Sequence, residues 1–148
     1  MADLSITPAS VAIAGGFGVT KTEIAQAEET ITQGDVVVQL SGETTWRLAD
    51  ANAASNGIEY AGSNRIGYAI TPAAADGYFV VATEGPVIAG ATLTVGTFYI
   101  VSTTPGGLAP ISDFSGYTDS YCTAIGQATS TTVLDLIAGA YTGANNIS

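Results

Sequence analysis

The chain reads as an all-β protein, a compact antiparallel β-barrel or sandwich built from two related halves and preceded by an extended N-terminal arm. Three observations lead there. The unit Thr30-Ile31-Thr32-Gln33-Gly34-Asp35-Val36-Val37-Val38 reappears as Thr92-Leu93-Thr94-Val95-Gly96-Thr97-Phe98-Tyr99-Ile100, each a polar/apolar run, a glycine and an apolar strand. The stretch Gly42 to Asp50 has its counterpart in Gly106 to Asp113, and Ile66-Gly67-Tyr68-Ala69 is echoed by Ile125-Gly126-Gln127-Ala128. Three matches in the same order, about sixty residues apart, mark an internal repeat, which reveals architecture before single motifs do. The composition agrees: 47% hydrophobic and 11% charged, with 18 glycines and many threonines, is the profile of a strand-rich domain.

Taken in order, residues 1–28 differ from the rest. Val11-Ala12-Ile13-Ala14-Gly15-Gly16-Phe17-Gly18 has no sustained period, and Lys21 to Glu29 is a short polar stretch with weak helical content. We assign 1–28 to an arm and 29–148 to a single β domain, its halves spanning about 31–83 and 92–137. Two readings of the arm stay open: it orders against a partner, or it tucks along the sheet as a first strand. On the first reading Ile6, Val11, Ile13, Phe17 and Val19 make contacts outside their own protomer, because they precede the repeated units and have no partner strand in the duplication.

The strands follow. Val36 to Leu40 is a β-branched run ending at Ser41-Gly42, with Thr44 to Leu48 as its hairpin return. Ala49 to Gly57 is small, polar and turn-rich, hence a loop. Arg65 to Ile70, Tyr78 to Thr83 and Phe98 to Ser102 are strands, separated by Pro72 to Gly77 and Gly85 to Gly96. After the turn Thr104-Pro105-Gly106-Gly107 come Leu108 to Ile111, Cys122 to Ala128 and Thr132 to Ile137. Strands at this spacing with no helix between them point to a barrel or sandwich.

Composition also narrows function. The chain has 148 residues and a formal net charge of −10, with only Lys21, Arg47 and Arg65 as basic side chains. Three cations cannot release counterions from a phosphate backbone, so nucleic acid is not an expected partner. One cysteine, Cys122, and no histidine leave no intrachain disulfide, no Cys/His zinc site and no Ser-His-Asp or Cys-His catalytic arrangement. No catalytic residue, cofactor or metal is expected. Glu28-Glu29 is an adjacent acidic pair whose side chains point to opposite faces of an extended strand, which makes it a solvated pair and not a glycosidase dyad. Cys122 lacks a neighbouring cation in sequence and reads as a small core residue. Trp46 and the scattered tyrosines suit packing better than a sugar-stacking platform. No apolar run approaches bilayer length and no secretory leader is expected, so synthesis in a cytoplasm is the expectation.

The run Gly85 to Ser102, then Thr104 to Pro110, then Ile125-Gly126-Gln127-Ala128, together with Leu48-Ala49-Asp50-Ala51-Asn52 and Gly67-Tyr68-Ala69-Ile70, resembles tailed-bacteriophage head decoration (capsid-stabilising) proteins over about residues 30–137. The resemblance implies a β-tulip-like scaffold in a virion, bound outside an assembled shell of major capsid protein, often as a homotrimer, and reinforcing that shell against internal DNA pressure. The competing class is a carbohydrate- or receptor-binding module of a virion fibre or tail, which would use Trp46 and exposed tyrosines.

Overall fold

A computed structural model describes residues 3–14, 18–40, 42–51, 65–117 and 120–146. Among them are ten strands, two short 3-10 turns (Pro8–Ser10 and Ile111–Gly116) and no α-helix. The strands are β1 (Ala12–Ile13), β2 (Lys21–Ala27), β3 (Val36–Gln39), β4 (Thr45–Leu48), β5 (Arg65–Ala69), β6 (Tyr78–Ile88), β7 (Phe98–Val101), β8 (Leu108–Pro110), β9 (Ser120–Ala128) and β10 (Val133–Asn146).

The first half closes into a five-stranded barrel in the order β2-β4-β3-β5-β6. Closure comes from β2, which lies parallel to β4 through Gln26 and Thr45 and antiparallel to β6 from Lys21 to Gln26. Alternation along the strands sends Ala25, Ala27, Val37, Ala69, Phe79 and Val81 inward around the fully buried Trp46. Small alanines leave room for one indole in so narrow a barrel. The Arg65 guanidinium lies 5.3 Å from the Trp46 ring centroid and is ion-paired to Glu23.

β6 belongs to both halves. Its first part is a barrel strand, and from Gly85 to Ile88 it pairs with β10, starting the sheet β6-β10-β9-β7-β8. The stretch after Gly85, expected to be a connection, is therefore strand as far as Ile88. Gly85 permits this with φ 97 and an approach to the Val19 carbonyl so close that a Cβ would lie 2.2 Å from it. β10 likewise runs past Ile137 to Asn146.

The two halves repeat one strand order, β4-β3-β5-β6 and β8-β7-β9-β10. Val37 faces Leu48 and Gly67; Tyr99, its counterpart, faces Pro110 and Gly126. The turn entering each half is also the same. Gly34 N–H donates to Ala69 O and Gly96 N–H to Ala128 O, both at 2.8 Å, while Asp35 N–H donates to Thr32 O and Thr97 N–H to Thr94 O. Both glycines have positive φ, 91 and 87. The sequence repeat thus encodes a turn that only glycine enters cheaply, followed by a strand pair.

The halves differ in what they enclose. Val37 fills the barrel, whereas Tyr99 joins a core shared between the second sheet (Val87, Leu93, Val101, Leu108, Leu134) and the outer face of the barrel (Val36, Val38, Tyr68, Ala82). A third cluster, Ile100, Ala109 and Ala124 on the outer face of the second sheet, is covered by Phe114, Tyr117 and Cys122. Among the described residues no strand joins β6 to β8 as β2 joins β6 to β4. The segment that spans this gap is the N-terminal arm: Leu4 N–H donates to Leu108 O at 2.9 Å, Thr7 N–H to Gly90 O at 2.8 Å, and Ala12 and Ile13 pair with Ile88 and Val87.

Two boundaries need correction. Residues 21–27, given to the arm and to weak helix, are strand β2 and part of the barrel wall. The polar character that suggested otherwise comes from Lys21, Thr22, Glu23 and Gln26, with Ala25 and Ala27 too small to announce an inward face. The arm therefore ends before Lys21. The loop expected over 49–57 begins with the buried Ala49 and Ala51, and its residues 52–57 lie outside the described residues.

Candidate interaction surface

The arm is seated by side-chain fit as well as by backbone bonds. Ile6 and Val11 drop onto two glycines, one in the turn before β3 and one in the connection after β6: a Cβ on Gly34 would lie 2.6 Å from Ile6 Cγ2 and 3.0 Å from Val11 Cγ2, and one on Gly90 would lie 2.9 Å from Val11 Cγ2. Gln33 Nε2 donates to Val11 O at 2.7 Å. The buried Ser102 hydroxyl donates to Asp3 Oδ1, also at 2.7 Å. The arm's far end is tied at a single carbonyl, since Pro86 O accepts from Ala14 N–H at 3.2 Å and from the Thr20 hydroxyl at 2.6 Å.

The five proposed interface residues accordingly separate. Val11 is 4% exposed and Ile6 is half-buried, both packed on the shared core. The expectation that this chain's own core need not claim them fails for these two, because the second half is incomplete without the arm. Ile13 at 45% and Val19 at 85% are exposed. Phe17 lies outside the described residues. Exposed apolar side chains missed in the sequence are Ile24, Tyr78, Val95, Phe98 and Ile111. Those in strands follow the same period-2 pattern as core residues, so sequence alone does not tell which face remains uncovered.

The charged groups mostly brace the barrel. Lys21 pairs with Glu84 at 3.2 Å, and Arg47 with Glu28 at 3.3 Å and Glu43 at 2.9 Å. Glu29 Oε2 accepts the Leu48 N–H at 3.1 Å, so the Glu28-Glu29 pair anchors β4. With Arg65 on Glu23, all three basic side chains are engaged. From residue 66 to the C-terminus the chain contains no Lys or Arg.

Two clefts flank the arm. One, of about 270 Å³, lies between Asp3, Ile6, Gln33, Asp35 and the 104–107 turn. Burial pushes the Asp35 carboxyl up, the Thr32 N–H bonded to Oδ2 at 2.7 Å pulls it down, and Glu29 pushes it up again. The other, of about 330 Å³, is lined by hydroxyls of Ser5, Thr7, Ser10, Thr92 and Thr132. Among the described residues no three His, Cys, Asp or Glu side chains come together in a way that could hold a metal ion. No described helix is long and apolar enough to cross a membrane.

Among the described residues the aromatic side chains offer little for stacking on a ligand. Trp46, Tyr68 and Tyr99 are buried, which removes Trp46 as the anchor of a carbohydrate platform; Tyr78 is exposed. Tyr68 donates its hydroxyl to Ala89 O at 2.6 Å inside the shared core, and burial, with Asp35 adding to it, pushes the phenol far above its ordinary range. Cys122 is half-buried, and burial pushes its thiol up, away from nucleophilic use. No family model and no curated protein matches the chain.

Proposed function

We propose that the chain is a structural virion protein that binds the outer surface of an assembled phage capsid and stabilises it, working as a homo-oligomer such as a trimer. The observation that carries this reading is the set of large apolar side chains left in water on a β framework whose own cores are filled: Ile13, Val19, Ile24, Tyr78, Val95, Phe98 and Ile111. Where such side chains are neighbours, as Phe98 and Ile111 are at one end of the second sheet, they are candidates for a surface that meets another protein. The strand-and-turn resemblance to head decoration proteins supplies the virion context.

A protein seated at many equivalent lattice positions stabilises the shell by mass action, because it binds the assembled state and not the separated subunits. Modest contacts suffice when symmetry repeats them. The surplus of acidic groups keeps free protomers soluble and off the packaged DNA. The test is heat challenge of DNA-filled heads with and without the protein. Earlier DNA release from heads lacking it supports the reading, and equal release from both rejects it.

A further inference from the structure

The outer face of the second sheet carries an uncovered stripe. Strand register sets Phe98 opposite Gln127, Gln127 opposite Asp135, and Asp135 opposite Pro86. Residues opposed across a ladder project from the same face. Ile111 follows Pro110, the partner of Tyr99, and opens the 3-10 turn at the Phe98 end of the row. With neighbouring strands roughly 4.8 Å apart, the laddered row runs roughly 10 Å from Phe98 to Asp135. The parallel row Ala109, Ile100, Ala124 is roofed by the Ile111–Gly116 turn and its flank, but Phe98 and Ile111 remain 40% and 42% exposed, with Val95 exposed in the turn before β7.

Charge selects the occupant. The Asp135 carboxylate is exposed and makes no hydrogen bond or ion pair among the described residues, in a half of the chain without a single Lys or Arg. A second copy of this chain brings no unpaired lysine or arginine side chain to it, because Lys21, Arg47 and Arg65 are already ion-paired to glutamates. We infer that this stripe is the docking face for a different protein surface, one presenting apolar side chains against Phe98 and Ile111 and a lysine or arginine against Asp135, roughly 10 Å from Phe98. The inference rests on the capsid reading above and assigns that surface to the shell. The arm stays in its groove, holding the second sheet in shape.

The test uses the full chain and shells assembled without it. A photo-crosslinking amino acid is placed at Ile111 or, as a control on the barrel, at Ile24, and binding of wild type and Asp135→Lys is measured by co-sedimentation, with melting temperature confirming that each variant is folded. The expected results are a crosslink from position 111 to the major shell protein in clear excess over position 24, and about tenfold weaker binding by Asp135→Lys. If the wild type sediments with shells but gives no excess at 111, or if Asp135→Lys binds within about twofold of wild type, this face is overturned while the capsid reading stands. If the wild type does not sediment with shells at all, the capsid reading itself falls.

Discussion

The duplication supplies a matched pair of substitutions that measures how firmly the arm is seated. Gly34 and Gly96 occupy the same place in the two halves, with φ 91 and 87 and the same backbone bonds. Replacing either by alanine forces a side chain into a left-handed conformation at about 1–2 kcal/mol. There the likeness ends. Around Gly96 nothing lies within 4 Å of an added Cβ, whereas at Gly34 it meets Ile6 Cγ2 at 2.6 Å and Val11 Cγ2 at 3.0 Å. Carbon atoms prefer about 3.5–4.0 Å, so Ile6 must retreat by about 1 Å or more, and overpacking of this kind adds about 1–3 kcal/mol. Gly34→Ala is therefore expected to destabilise by about 2–5 kcal/mol against about 1–2 for Gly96→Ala. Urea unfolding followed by circular dichroism reads the difference. In an Ile6→Ala background, which removes the nearest clashing methyl, the excess at Gly34 should shrink. Equal losses at both glycines, or an excess indifferent to Ile6, would refute the claim that the arm is packed into the fold.

Three further outcomes follow from the same contacts. Deleting residues 1–14 strips Val11 from the core and leaves the β6–β8 gap open, and is expected to lower stability by at least about 2 kcal/mol in urea unfolding; a truncated chain as stable as the full one would contradict it. Tyr68→Phe leaves the Ala89 carbonyl without its 2.6 Å donor and should cost about 1–3 kcal/mol in the same assay. Burial raises Tyr68, Tyr117 and Cys122 above their ordinary values of 10.0 and 9.0 in the folded state only, so the stability they contribute is complete below those values and falls as pH climbs past them. Melting temperature should drop above about pH 9–10, less steeply in Tyr68→Phe, and a profile flat to about pH 12 would count against the burial of these groups.

What the sequence disclosed was whatever repeats locally. Gly34 and Gly96 announce a turn whose backbone geometry demands glycine, and Val36 to Val38 or Phe98 to Ile100 announce the strand after it, so the halves and most of their strands could be read directly. Closure of the barrel could not. It depends on β2, where alanines at 25 and 27 face inward and the longer polar side chains dominate the pattern. The arm was misjudged for a related reason. Ile6 and Val11 have no counterpart in the repeat, and only the three-dimensional gap between β6 and β8 explains why an unrepeated segment is needed. Phe98 and Val36 are equivalent positions in the repeat, yet Val36 is buried beneath the second sheet and Phe98 faces outward and stays 40% exposed. No local pattern separates them, because what differs is which half leans on the other.

The central claim, that this protein reinforces a capsid from outside, is tested most directly by a reconstruction of the intact particle at a resolution where strands are visible. Density for the paired β halves is expected at many equivalent positions on the outer shell, with the Phe98–Asp135 stripe turned toward the capsid subunits. Density confined to the tail or a fibre tip, or none on the shell, would contradict it.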